Sequence, residues 1–340
     1  MIPIANSGGV FTRADIDAIY ASIAAIQWTG NTYYLDPVNG LDTNNGLYPA
    51  SLLGQAGNGP VKTLAAAYAL LVSGNNDTIV LIGNGASSGT ARVEASFTWS
   101  KNACRLIGIA APSVYSQRAR IAPTASDTAF TPFITVSGNG NYFANLEIFD
   151  AFTTGTTAQI NLVVSGVQNV FDNCHIAGMG DSTSAGDAGS RSLVISNDEN
   201  FFRHCTLGVD TIKRTALNAT VELKAGSAGA ARNVFEDCYF PALCSTGAAG
   251  LAVIVAAAAA IDRMTIFRRC LFYNSAAFSG GAAGTGVMKL VAAAGGALLL
   301  QDCTEYGYTD WGYDAASKLE ILVSGPVPTS NTSGIAIVNT

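Results

Sequence analysis

Five cysteines, Cys174, Cys205, Cys238, Cys270 and Cys303, recur along this chain at intervals of 31, 33, 32 and 33 residues. A thiol can act as nucleophile, redox centre or soft-metal ligand, but each use needs partners: a nearby base, a resolving cysteine or a cluster of ligands. No C-x-x-C pair occurs and the total of seven is odd, so neither a zinc site nor a disulfide framework is expected. The column reads instead as a stack of small, reduced, buried side chains. The two positions before each cysteine carry the next chemistry. The first reads Ala144, Asp172, Arg203, Glu236, Arg268, Gln301, and the second Asn145, Asn173, His204, Asp237, Arg269, Asp302. Charge sign alternates in both columns, and opposite charges one strand apart favour each other by a few tenths of a kcal/mol or more. Asp172, Arg203, Glu236 and Arg268 are therefore expected to form a stacking ladder rather than an acid–base pair.

Other candidates lie outside the columns. Asp310, Trp311, Tyr313 and Asp314 combine two acids with two ring faces, the mixture a sugar site uses. Glycoside hydrolysis would need two carboxylates about 5–9.5 Å apart in a groove, and the remaining loop acids, Asp181, Asp187, Asp198 and Glu199, show no such repeated pairing. Asp36, Asn39, Asp42 and Asn44 offer hard oxygen ligands at short spacing, with Asp36 and Asp42 the calcium candidates; the competing reading is a set of Asx turns. His175 and His204 flank the cysteine column in neighbouring units and are expected as surface strand residues. No catalytic residue, resident metal or cofactor is expected.

The elements that must position these residues follow from the repeat. Residues 141–148 read NYFANLEI, 169–176 NVFDNCHI, 200–207 NFFRHCTL, 233–240 NVFEDCYF, 265–272 TIFRRCLF and 298–305 LLLQDCTE, each near a second strand-like segment such as LVVSG or LAVIV. Units of about 30 residues with short strands and no amphipathic helix describe a solenoid whose coils stack at the inter-strand spacing. Within F-x-x-C, two inward-pointing residues three apart break strand alternation, so a bend falls between them, at Asn145, Asn173 and Asp237 among others. Composition agrees: 12 % charged and 49 % hydrophobic among 340 residues, with net charge −6, exclude disorder and a polyanion-binding surface. No apolar run is long enough to span a membrane, and the N-terminus lacks a secretory signal pattern. Residues 1–32 read as an arm containing a helix, with Ile16, Ile19, Tyr20, Ile23 and Ile26 on one face. Residues 33–77 read as a loop and short helix, 78–325 as the coils, and 326–340 as a tail.

Asp36, Pro37, Gly40, Asp42 and Gly46, followed by Lys62, Thr63 and Leu64, match a D-P-x-x-G-x-D-x-x-x-G loop and K-T-L helix. The stretch resembles the N-terminal signature of the right-handed parallel β-helix, pectate-lyase-like superfamily. The resemblance implies an all-β right-handed parallel β-helix of about seven to eight coils, with a helix covering the open end. It also implies a range of uses: polysaccharide lyases and hydrolases, phage tailspikes, and virion proteins that keep the fold without catalysis. Among these, the expectation is a non-enzymatic homotrimeric capsid decoration (cement) protein, anchored by its arm to the major capsid protein or other virion proteins. It would be assembled in the host cytoplasm and carried on the capsid surface, without nucleic acid or membrane partners. The alternative is a short tailspike that recognises or degrades a host surface polysaccharide. The Ala-rich stretches 251–261 and 291–300 are expected either to line a narrow core or to meet sister chains.

Overall fold

The computed structural model describes residues 30–110, 119–124, 130–154, 158–225, 229–276, 280–318 and 320–324, with the backbone of 336–337. The helical arm expected over 1–32, including Ile16, Ile19, Tyr20, Ile23 and Ile26, lies outside the described residues apart from its last three positions.

Each coil is built from three short strands that fall into three parallel sheets of eleven, seven and eight strands. One coil shows the plan. Ile160–Val164 lies in the seven-stranded sheet, Val170–Asp172 in the eleven-stranded sheet and His175–Ala177 in the eight-stranded sheet. The chain then returns through a longer loop to Arg191–Ile195, which pairs in register with Ile160–Val164. The seven strands of the shortest sheet are separated by six turns of chain, slightly fewer than the seven to eight coils expected.

The bend inside F-x-x-C is a single left-handed residue. Asn145, Asn173, His204, Asp237, Arg269 and Asp302 all have φ between 50° and 55°. Asn and Asp adopt this region at low cost, whereas Arg269 accepts backbone strain at the corner, where it pairs with Glu236 and Asp237. Because of the bend, the phenylalanine and the cysteine three residues later both face the core. Phe143, Phe171, Phe202, Phe235 and Phe267 stack ring on ring with centroids 4.8, 4.8, 4.9 and 4.7 Å apart. Each such contact contributes about 0.5–1.5 kcal/mol beyond burial.

The cysteines have a use beyond size. Each thiol donates to the carbonyl of the phenylalanine one coil earlier: Cys174 to Phe143 at 3.5 Å, Cys205 to Phe171 at 3.4 Å, Cys238 to Phe202 at 3.4 Å, Cys270 to Phe235 at 3.5 Å and Cys303 to Phe267 at 3.3 Å. The column thus pairs a weak donor with a carbonyl at every bend. Burial pushes the Cys174 and Cys238 thiols up, which keeps them neutral.

The two ends are closed differently. At the N-terminal end, Thr63 caps the helix Leu64–Leu70 by accepting from the Ala66 N–H, and Leu64 and Ala67 are buried. Tyr68 stands 5.3 Å from Phe97 and 5.0 Å from Trp99, sealing the first coils. Thr32–Leu35 pairs with Thr78–Ile82, so the loop-and-helix segment begins on the long sheet itself. At the other end, Ile321–Val323 finishes the parallel run and Ala336–Ile337 pairs with it antiparallel.

Of the Ala-rich stretch 251–261, the strand Leu251–Val255 is buried at every position. Leu251 and Ile254 pack with Ala219, Leu217 and Tyr313 in a second, smaller apolar cluster. That strand therefore meets its own chain, and only the turn Ala256–Ala259 is exposed. Among the described residues, no helix is long and apolar enough to cross a membrane.

Candidate functional site

The corner ladder is where the chain concentrates its charge. Asp172 pairs in register with Arg203, Arg203 with Glu236, and Glu236 with Arg268. Tyr142 Oη and Arg203 Nη2 both donate to Asp172 Oδ2, at 2.8 and 2.7 Å. His204 Nδ1 lies 3.2 Å from the other Asp172 oxygen. Further along, Arg269 bridges Glu236 at 2.8 Å and Asp237 at 2.7 Å, and Arg268 spans Glu236 and Gln301. Burial raises the Asp172 carboxyl, but its hydrogen bonds to Arg203, Tyr142 and His204 outweigh this and hold it below the ordinary value. The Arg269 guanidinium holds Glu236 and Asp237 low in the same way. These carboxylates are ionised and saturated with donors, the opposite of what a general acid requires.

A second polar column runs inside the wall, at the first position of four successive repeats. Asn169 donates N–H and Nδ2 to Asn200 Oδ1 at 3.0 and 3.2 Å, Asn141 donates likewise to Asn169, and Asn200 N–H donates to Asn233 Oδ1 at 2.9 Å. Each of Asn141, Asn169, Asn200 and Asn233 is at most 1 % exposed. The initial N shared by four aligned octads is the sequence signal for this column, which the motif reading alone misses.

Register also assembles a group that spacing along one repeat does not reveal. Arg120, Glu147, His175 and Thr206 occupy consecutive strands of the eight-stranded sheet. Arg120 Nε donates to Glu147 Oε2 at 2.6 Å, and His175 Nδ1 lies 3.9 Å from Glu147 Oε1. His175 Nε2 is 3.0 Å from the Gly208 carbonyl, which places the ring proton there in the neutral tautomer. The Glu147 and His175 side chains are only 4 % and 6 % exposed, so the Arg120–Glu147–His175 row forms a buried polar clamp across three strands. This corrects the surface placement expected for His175; His204 is exposed, at the corner.

Asp150 ends the strand that carries Glu147. Its Oδ1 accepts from the Met179 N–H at 3.1 Å, while Oδ2 is buried without a partner. Burial pushes this carboxyl up to about 7.

The remaining candidates are turned onto protein. Asp36 accepts from Val38 N–H, Asn39 N–H and Asn39 Nδ2, and Asp42 accepts from Lys62 N–H, Thr63 N–H and Thr63 Oγ1. Both are Asx-type clasps, with Asp42 fastening the loop to the helix start. Asn39 shares the first clasp, and Asn44 donates to the Pro60 carbonyl. Asp181 caps the short helix Ser182–Ala185. At the C-terminal end, Asp310 pairs with Lys318, Asp314 accepts from Ser317, and Lys289 sits 4.7 Å over the Tyr313 ring. Trp311 meets Phe272 edge-on at 5.8 Å. Asp310, Trp311, Tyr313 and Asp314 therefore brace the last coils, with both rings partly buried against protein groups. Among the described residues, no three His, Cys, Asp or Glu side chains group as metal ligands.

No protein-family model matches the chain, and no curated protein matches it. Solved structures do. Pectin methylesterase PemA from Erwinia chrysanthemi superposes with a TM-score of 0.52 at 16 % identity, covering 84 % of this chain and 82 % of its own. A rhamnogalacturonan lyase gives 0.49 at 15 % identity over 81 % and 74 %, and pectate lyase Pel9A 0.45 at 12 % over 83 % and 79 %. The fold is a right-handed parallel β-helix, the architecture of polysaccharide-acting enzymes such as the pectin methylesterase.

Proposed function

We propose that this chain is a non-enzymatic structural β-helix, a homotrimeric decoration protein of a phage capsid that holds shell subunits together. The observation that carries the reading is the corner ladder. The carboxylates most regularly arranged along the coils, Asp172, Glu236 and Asp237, are saturated by Arg203, Arg268 and Arg269 and stiffen the stack. A rod whose regular polar groups brace one coil against the next is suited to bearing load. Fold alone does not assign activity, because one fold hosts many.

The reading expects a particle of three chains by light scattering and no release of reducing ends from acidic or neutral polysaccharides. It also expects retention on capsids that have been stripped of their decoration and then mixed with the pure chain. A 34.9 kDa monomer that fails to bind capsids would refute it, as would polysaccharide cleavage.

A second reading, a short receptor-binding spike that recognises or degrades a surface polysaccharide, is favoured by one feature. Tyr273 and Tyr306 stack at 5.6 Å on the outer face of the eight-stranded sheet, with Tyr306 44 % exposed. Aromatic faces of this kind suit sugar rings. Tail rather than head density in electron micrographs of the particle would select this reading.

A further inference from the structure

The N-terminal end of the eight-stranded sheet borders a pocket of about 430 Å³ whose wall includes Lys62, Thr63, Ser87, Ser88, Thr90 and Arg92. Among the described residues, the charged members of its wall are the two cations. Among the described residues, the Lys62 ammonium makes no hydrogen bond or ion pair, which sets it apart from the ladder arginines. Arg92 gives one N–H to the Pro123 carbonyl at 2.9 Å and keeps its other donors. Ser88 Oγ accepts from Asn84 Nδ2 at 2.9 Å, so its own O–H is available to donate outward. The two acids of the neighbouring loop make no ion pair with Lys62 or Arg92, although Asp42 accepts from Thr63 on the pocket wall. Asp42 is held by Lys62 N–H, Thr63 N–H and Thr63 Oγ1, and Asp36 by Val38 and Asn39.

Two cations without an ion-pair partner among the described residues line this one concavity, in a chain with 18 basic residues and a net charge of −6. Their fields add within the pocket and attract an anion, to a degree that falls with salt because both side chains are exposed. The volume lies within the range of small-ligand sites and exceeds what a bare inorganic ion needs. We infer that this pocket binds an anionic ligand of about one sugar ring in size. Its phosphate or carboxylate group would be clamped between Lys62 and Arg92, and its polar remainder would meet the hydroxyls of Ser87, Ser88 and Thr90. The site is separate from the corner ladder and does not depend on whether the chain sits on a capsid or a tail.

Isothermal titration calorimetry on the full chain tests this with glucose 6-phosphate, glucuronate, inorganic phosphate and neutral glucose. At least one sugar anion should bind one per chain, more tightly than glucose or inorganic phosphate and more weakly as salt is raised. Preference between the two sugar anions identifies the anionic group. The double variant Lys62→Gln/Arg92→Gln should weaken binding at least tenfold with an unchanged melting temperature, since both side chains are exposed. If the double variant melts early, the single variants Lys62→Gln and Arg92→Gln serve, each expected to weaken binding severalfold. Absence of sugar-anion binding to the wild type, equal binding of glucose, or undiminished binding by the variants would overturn the assignment.

Discussion

Replacing Asp150 by asparagine should reverse its effect on stability between acid and neutral pH. The carboxyl is 1 % exposed, receives one hydrogen bond from Met179 N–H, and has a second oxygen with no partner. Burial lifts it from 3.8 to about 7. A carboxyl raised in the folded state stabilises the fold fully below its unfolded value near 3.8. That contribution is lost as pH rises through about 7, because the unfolded chain ionises first. At about 1.36 kcal/mol per pH unit, the interval from 3.8 to about 7 corresponds to a loss of about 4 kcal/mol. The introduced amide would keep an oxygen for Met179 N–H and never ionise, and its NH₂ would replace a carboxyl O–H that also lacks an acceptor at Oδ2, so at low pH the exchange costs at most about 1–3 kcal/mol. The Asp150→Asn variant should therefore be less stable than wild type by no more than about 1–3 kcal/mol at pH 4 and more stable by about 1–4 kcal/mol at pH 8. Urea midpoints followed by tryptophan fluorescence from pH 4 to 8, at fixed ionic strength, measure the difference. Other titrating groups cancel in it. A difference that stays constant across the range would refute the assignment of an unpaired, neutral-favouring carboxyl at this position.

The columns make three further predictions. Phe202→Ala removes a ring sandwiched at 4.8 and 4.9 Å between Phe171 and Phe235 and should destabilise by about 3–5 kcal/mol in urea titration; a loss under about 1 kcal/mol would mean the stack is not a structural column. Asn200→Ala strands the Asn169 N–H and Nδ2 donors and should cost about 1–3 kcal/mol, and Asn200→Asp, whose second oxygen would face the Gly166, Asn197 and Asp198 carbonyls that Nδ2 now serves, should cost at least as much at pH 7. Glu236→Arg places like charge beside Arg203, Arg268 and Arg269. Its melting temperature should fall at low salt and recover toward wild type as salt screens the ladder; a salt-independent loss would point to packing instead.

The parts of this architecture that were legible in the sequence are those written once per coil. F-x-x-C repeats because a ring column, a bend and a thiol column all need the same residue type on every turn. The alternating signs around Asp172, Arg203, Glu236 and Arg268 are visible because adjacent strands bring equivalent positions together. The buried asparagine column had an equal signal, an N opening four octads, but asparagine is common in turns and its internal amide chain was masked by that habit. Arg120, Glu147 and His175 were illegible for a different reason. They are three different residue types on one column, and only the paired register places Glu147 opposite His175. The Asp310–Asp314 segment has a role its composition does not reveal. Its composition suggests a sugar platform, yet the end of a coil stack needs the same groups to close itself, and Lys318, Ser317 and Phe272 claim them.

These placements bear on why a chain with 12 % charged residues can fold with little polar surface. The corner residues supply charge at a rate of one or two per coil, and alternating sign lets the charges support each other instead of repelling. Apolar strands such as Leu251–Val255 are covered on both faces by their own chain, so they do not demand a partner. Exposed apolar side chains concentrate elsewhere. Val38, Leu41, Leu47 and Leu53 all lie in the loop at the N-terminal end, with Leu41 57 % exposed and Leu53 fully so. That loop follows the segment whose isoleucine spacing predicts an apolar helical face. If the rod docks on another assembly, the apolar area needed for a lasting contact is therefore available at the N-terminal end. The polar corner ladder and the tyrosines of the eight-stranded sheet would then be left facing outward.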